Sequence, residues 1–135
     1  MTGRRQPKLA DRWLHFAKED LRVVPVLIEE EAFGLACFHA QQAAEKAIKA
    51  LIVYHDGTVP KVHQLGELLV SVCKFVPAFK RFETTSLTLD QYYIPARYPD
   101  ALPGSRADEM PKIAESQAAF VAASELVGAV ERSLR

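Results

Sequence analysis

Apolar residues recur along this chain at intervals of three and four, the spacing of one face of an α-helix and not of a strand. The first run spans approximately Leu9 to Glu29, with Trp13, Phe16, Ala17, Leu21, Val24 and Ile28 in a stripe and Trp13 as a core anchor. Pro25 lies inside it. Proline removes a backbone donor and clashes with the preceding turn, which predicts a kink or a break before the last turn. The second run, about Ala32 to His55, is longer. Phe33, Cys37, Ala40, Ala44, Ala47 or Ile48, and Leu51 share a broad face, beside a row of small residues (Ala36, Ala43, Ala50) suited to close helix contact. His39, Gln42, Lys46 and Lys49 project together from a different face, near Leu35 and Val53. This leaves one mixed surface for a cleft or a subunit interface.

Asp56-Gly57 and Pro60 end that pattern. A shorter helix is predicted from about Gln64 to Lys74, with Leu65, Leu68, Leu69 and Val72 inward and His63 at its start. Phe79, Phe82, Leu89 and Tyr93 predict a further helix from about Pro77 to Tyr93. Thr84-Thr85-Ser86 could interrupt it by competing for backbone hydrogen bonds. The segment from Ile94 to Asp100 and the Pro103-Gly104 pair read as loop. A last helix runs from near Ala107 to Pro111 as far as Ser133, with Ile113, Ala114, Ala118, Val121, Ala122, Leu126 and Val130 or Ala129 as its apolar strip. No convincing alternating strand run appears. The fold class expected is all-α, a bundle of four or five helices.

Composition narrows the function classes. At 135 residues the chain suits a single domain over 1–135, with residues 1–8 as a flexible lead-in. Its 17 basic and 17 acidic residues cancel, which gives no support to broad electrostatic coating of nucleic acid but leaves room for a local site. Cys37 and Cys73 are too few for a disulfide scaffold and read as buried thiols. With neither a cleavable signal nor a continuous transmembrane segment recognised, a cytoplasmic location and no membrane partner are expected. No glycine-rich phosphate cradle or compact cysteine-histidine cluster is present, so neither a cofactor nor a metal is expected.

The helix from Trp13 to Leu21, the run Cys37-Phe38-His39-Ala40-Gln41-Gln42-Ala43-Ala44-Glu45-Lys46-Ala47-Ile48-Lys49-Ala50-Leu51, His63 opening the third helix, and Tyr92-Tyr93-Ile94-Pro95-Ala96-Arg97-Tyr98-Pro99-Asp100 strongly resemble the HEPN domain family over nearly the whole chain. The resemblance implies a HEPN-like bundle. It also implies a ribonuclease or toxin, or a binding or regulatory domain, and, as in many bacterial members, a small nucleotidyltransferase alongside it in a two-component toxin–antitoxin module. Nuclease members carry an arginine followed a few residues later by a histidine near the last helix. Here no histidine follows His63.

The leading expectation is therefore a noncatalytic nucleotide- or RNA-associated domain working as a homodimer, through its second or last helix, with a nucleotidyltransferase-like partner. The alternative is a metal-independent RNA-cleaving toxin in which His39 or His63 works with Arg97. The candidate ligand-binding residues are His39, Gln42, Lys46, Lys49, His63, Arg97 and Tyr98. The cations would meet phosphate, Gln42 a polar edge, and Tyr98 a base face. In the structural alternative, Arg97 pairs with Asp100 or Glu45.

Overall fold

The structure is a computed structural model that describes residues 5–93 and 110–135. Five α-helices and one 3-10 helix follow in order: α1 (Pro7–Glu29), α2 (Phe33–Asp56), α3 (Leu65–Val72), the 3-10 helix (Pro77–Phe82), α4 (Glu83–Asp90) and α5 (Ile113–Ser133). This is an all-α, five-helix bundle. α2 is its axis, packed against α1 on one side, α5 on another and α3 at its C-terminal half. Ala36, Ala40, Ala43, Ala44, Ala47 and Ala50 are all fully buried. Their small side chains let neighbouring helices approach closely, and the volume is filled by Ile48, Leu51, Leu65, Leu68, Phe79 and Leu126. The alanine rows expected to serve contact between copies are thus consumed inside one chain.

Helix α1 is not broken at Pro25 and runs on to Glu29. The proline is exposed while Val24 beside it is fully buried against the core, so packing holds the helix past the missing donor. Helix α1 buries Ala10, Leu14, Ala17 and Val24, and Trp13, Leu21 and Ile28 of the expected stripe pack partly buried against the core; of that stripe Phe16 departs, at 54% exposed. Helix α5 keeps the expected Leu126, Ala129 and Val130 inward, but its first half is rotated. Ser116, Ala119, Ala123, Leu126, Val127, Ala129 and Val130 face inward, whereas Ile113, Ala114, Ala118 and Val121 lie on its outer side. Contrary to the sequence reading, Ile113–Ser133 is long and apolar enough to cross a membrane by length and composition. Here it packs as a core helix on α2 and α1.

The helix expected over Pro77 to Tyr93 is two elements, and the join falls at Phe82–Glu83, ahead of the threonines. Asp90 then closes a tertiary cap. Its carboxylate accepts from the backbone N–H of Leu65 (2.7 Å) and Gly66 (3.0 Å), fixing the end of α4 to the N-terminus of α3. That cap places His63, two residues before α3, over the middle of α2.

Candidate functional site

Three polar residues interrupt the apolar surface of α2 at intervals of four: Gln41, Glu45 and Lys49. All are buried. Burying a charge is costly unless it is paired, and here each is. Lys49 Nζ lies 3.0 Å from Glu45 Oε2 and 5.7 Å from the centre of the Trp13 ring. Glu45 Oε1 accepts from Gln42 Nε2 at 3.3 Å and from Gln41 Nε2 at 3.5 Å. Gln41 Nε2 also donates to the His63 carbonyl at 3.2 Å, and Gln42 Nε2 donates to Gln41 Oε1 at 2.8 Å. The second oxygen of Glu45 reaches His63 Nδ1 at 2.9 Å.

A second carboxylate repeats the arrangement beside the first. Asp20 of α1 lies 3.0 Å from His39 Nδ1 and 2.5 Å from Lys46 Nζ, so a carboxylate, an imidazole and an ammonium from two helices converge. Burial alone would raise the Asp20 carboxyl. Hydrogen bonds and charge from His39 and Lys46 outweigh it and hold the group below its ordinary value. A carboxylate only accepts, so the imidazole facing it carries a hydrogen on Nδ1. Nε2 of each ring then has no hydrogen-bond partner among the described residues.

The two histidines border one aromatic patch. His63 stacks on Tyr93, with centroids 5.8 Å apart and planes 11° apart. Phe38 lies 6.2 Å from Tyr93 and meets His39 edge-on at 5.3 Å. The patch therefore carries two carboxylate-oriented imidazoles, and two such rings have the parts needed for paired acid and base chemistry.

The structure thus brings His39, Gln42, Lys46 and His63 together and takes Lys49 away from them. Lys49 is only 4% exposed in its side chain and spends its charge on Glu45, so it does not share the open mixed face expected from helical spacing. Val53, expected beside that face, is buried as well, while Leu35 is exposed. Arg97, Tyr98 and Asp100 lie outside the described residues. The residues that the sequence left out of the site are Asp20, Gln41, Glu45, Phe38 and Tyr93. Of these, only Gln41 and Glu45 carried a signal, as polar residues four apart with Lys49 in an otherwise apolar helix.

Among the described residues, no group of three or more histidine, cysteine or acidic side chains is placed to hold a metal ion. A hollow of about 660 Å³ between α3, the 3-10 helix and α4 is lined by Leu69, Val70, Cys73 and Leu87 among others and contains neither histidine. Its polar lining is Gln64, Glu67, Lys80, Glu83 and Asp90, without an imidazole, and the Asp90 carboxylate is already committed to the N-terminus of α3. Cys37 is buried, and burial, with the charge of Glu115, pushes its thiol up to about 12, which suits a packing residue and not a nucleophile.

Comparison with known proteins gives a consistent picture. The HEPN domain profile matches residues 10–132. The crystal structure of TT1696 from Thermus thermophilus superposes with a TM-score of 0.81 at 35% identity, covering 91% of this chain and 96% of that one. The crystal structure of ST0689, an archaeal HEPN homologue, gives a TM-score of 0.72 at 25% identity over 98% of this chain and 99% of its own. A curated relative from Methanocaldococcus jannaschii, named "Putative toxin MJ1304", is 26% identical over 100 residues. That alignment spans 69% of this chain and 65% of the relative's length.

Proposed function

The chain belongs to the HEPN domain family, and from that premise we propose that it is an RNA-directed toxin whose chemistry is carried by His63 and His39. The observation that carries this reading is the pair of imidazoles, each with Nδ1 on a carboxylate and Nε2 unpartnered among the described residues, at the edge of one aromatic patch. The toxin named among its relatives supports the same class.

RNA carries its own nucleophile. One neutral imidazole takes the proton of a 2′-hydroxyl, the oxygen attacks the adjacent phosphorus, and the bond to the 5′ oxygen breaks. The other imidazole, in its charged form, gives that oxygen a proton. The products are a 2′,3′-cyclic phosphate and a 5′-hydroxyl. Lys46 offers a cation beside His39, and Arg97 is the proposed phosphate fork. The test is cleavage of single-stranded RNA by purified protein in buffer containing chelator. His39→Ala and His63→Ala should each slow it by about a hundredfold or more while remaining folded. RNA cleaved equally by both variants would remove these rings from the mechanism.

A specific observation favours a second reading, a noncatalytic nucleotide- or RNA-associated domain with a nucleotidyltransferase-like partner. No histidine follows Arg97 in the sequence, so the arginine-to-histidine pair of nuclease members is missing. RNA bound but never cut, together with co-purification of such a partner, would favour it. In either reading we propose a homodimer built on the outer side of α5, where Ile113 and Val121 are exposed. Light scattering showing only monomer at micromolar concentration would count against it.

A further inference from the structure

We infer that the hollow between the first half of α1 and Lys46 of α2 is a stacking subsite for one nucleotide of single-stranded RNA. Its base would lie against Trp13 and Phe16, and its phosphate would meet Arg12 and Lys46. The inference rests on the RNA-directed reading above and adds a place for the strand outside the histidine patch. The hollow has a volume of about 300 Å³ and is lined by Leu9, Arg12, Trp13, Phe16 and Lys46.

Four observations point to an anionic aromatic ligand there. Phe16 is 54% exposed although it is large and apolar, and its described ring contact is the edge of His15. Trp13 is half-buried, backed by the Lys49 ammonium 5.7 Å from its ring centre, so the indole is held from behind while it lines the hollow. Arg12 is exposed and has no ion-pair partner among the described residues. Lys46 lines the hollow and also holds Asp20, which in turn holds His39, so the hollow and the candidate acid–base group share one side chain. Aromatic faces next to cations are the features with which proteins hold single strands: bases stack without regard to sequence, and the cations follow the phosphates. The volume suits a single nucleotide and not a duplex.

Trp13 is the only tryptophan in the chain, so its fluorescence reports on this hollow alone. The probes are an adenosine RNA hexamer and adenosine monophosphate, titrated into wild-type protein and into Val70→Ala, an exposed position outside both the hollow and the histidine patch. The expected result is saturable quenching by the hexamer in both. Affinity should fall about tenfold in Phe16→Ala, and the salt dependence should decrease by about one phosphate contact in Arg12→Ala. Both substitutions are at exposed positions, and a thermal melt checks that each variant is folded. Monophosphate binding as tightly as the hexamer would assign the subsite to a free nucleotide and overturn the strand assignment. Absence of saturable quenching, or equal affinity in wild type, Phe16→Ala and Arg12→Ala, would overturn the subsite altogether. Quenching without any RNA cleavage would leave the subsite standing and sink the nuclease reading. Cleavage without quenching would do the reverse.

Discussion

His63 Nδ1 lies 2.9 Å from Glu45 Oε2, a contact that joins a ring 55% exposed to a carboxylate only 5% exposed. The same oxygen holds Lys49, so the outward-facing ring and the internal cation depend on one buried charge. Orientation of the ring and stability of the α2 core are therefore coupled.

That coupling can be measured. Removing one partner of a buried ion pair strands the other, at a cost of about 3–5 kcal/mol. Glu45→Gln should lower stability by that order in urea unfolding. Lys49→Met should also destabilise, and Glu45→Gln combined with Lys49→Met should recover much of the loss, because no uncompensated charge is left. A strictly additive double-mutant cycle would show that the two side chains do not interact.

Asp20 predicts an acid-dependent component of stability. Its folded-state value is held below the ordinary one, so the contribution is fully present above the unfolded carboxylate range and is lost as pH falls through the folded value. Asp20→Asn should cost about 1.5–3 kcal/mol at neutral pH, the scale of a charge-assisted hydrogen bond. The gap between variant and wild type should close in the acid range below the ordinary carboxylate value. A gap unchanged down to that range would contradict the assigned cause.

The two thiols should differ in reactivity. Cys37 is buried, with its thiol pushed up to about 12, while Cys73 is partly exposed. An Ellman-type reagent at mildly alkaline pH should titrate one thiol in the native protein and two after unfolding. Rapid reaction of both without denaturant would mean that the α2 core opens readily.

Two helix ends carry left-handed backbone, one suited to it and one not. Gly57, at φ 81°, ends α2, and its carbonyl accepts from Gln6 Nε2 at 2.6 Å. Gly57→Ala should cost about 1 kcal/mol, since only glycine takes that conformation freely. Glu31, at φ 61°, sits in the turn from α1 to α2. Glu31→Gly should raise stability by roughly 0.5–1 kcal/mol by relieving the Cβ clash. Thermal or urea unfolding of the two variants should move in opposite directions.

The helical class and most of the helix limits were legible in the sequence. A three-to-four-residue apolar period, Gly57 and the proline-rich stretches are local signals that need no knowledge of what packs against them, although α1 begins at Pro7, inside the expected lead-in. The family resemblance was legible too, and the profile match over residues 10–132 bears it out. What local pattern could not supply was the rotation of each helix. On α5 Ser116, Ala119 and Ala123 turn inward while Ile113 and Val121 face out, and on α1 Phe16 leaves the expected stripe, because the neighbouring helices and not the local period fix which positions are covered. The site was half legible for the same reason. Helical spacing puts His39, Gln42, Lys46 and Lys49 near one another, but only tertiary structure brings Asp20 across from α1 and sets His63 on Glu45. It also draws Lys49 inward, because a buried carboxylate needs a cation and the ammonium one turn away reaches it at 3.0 Å.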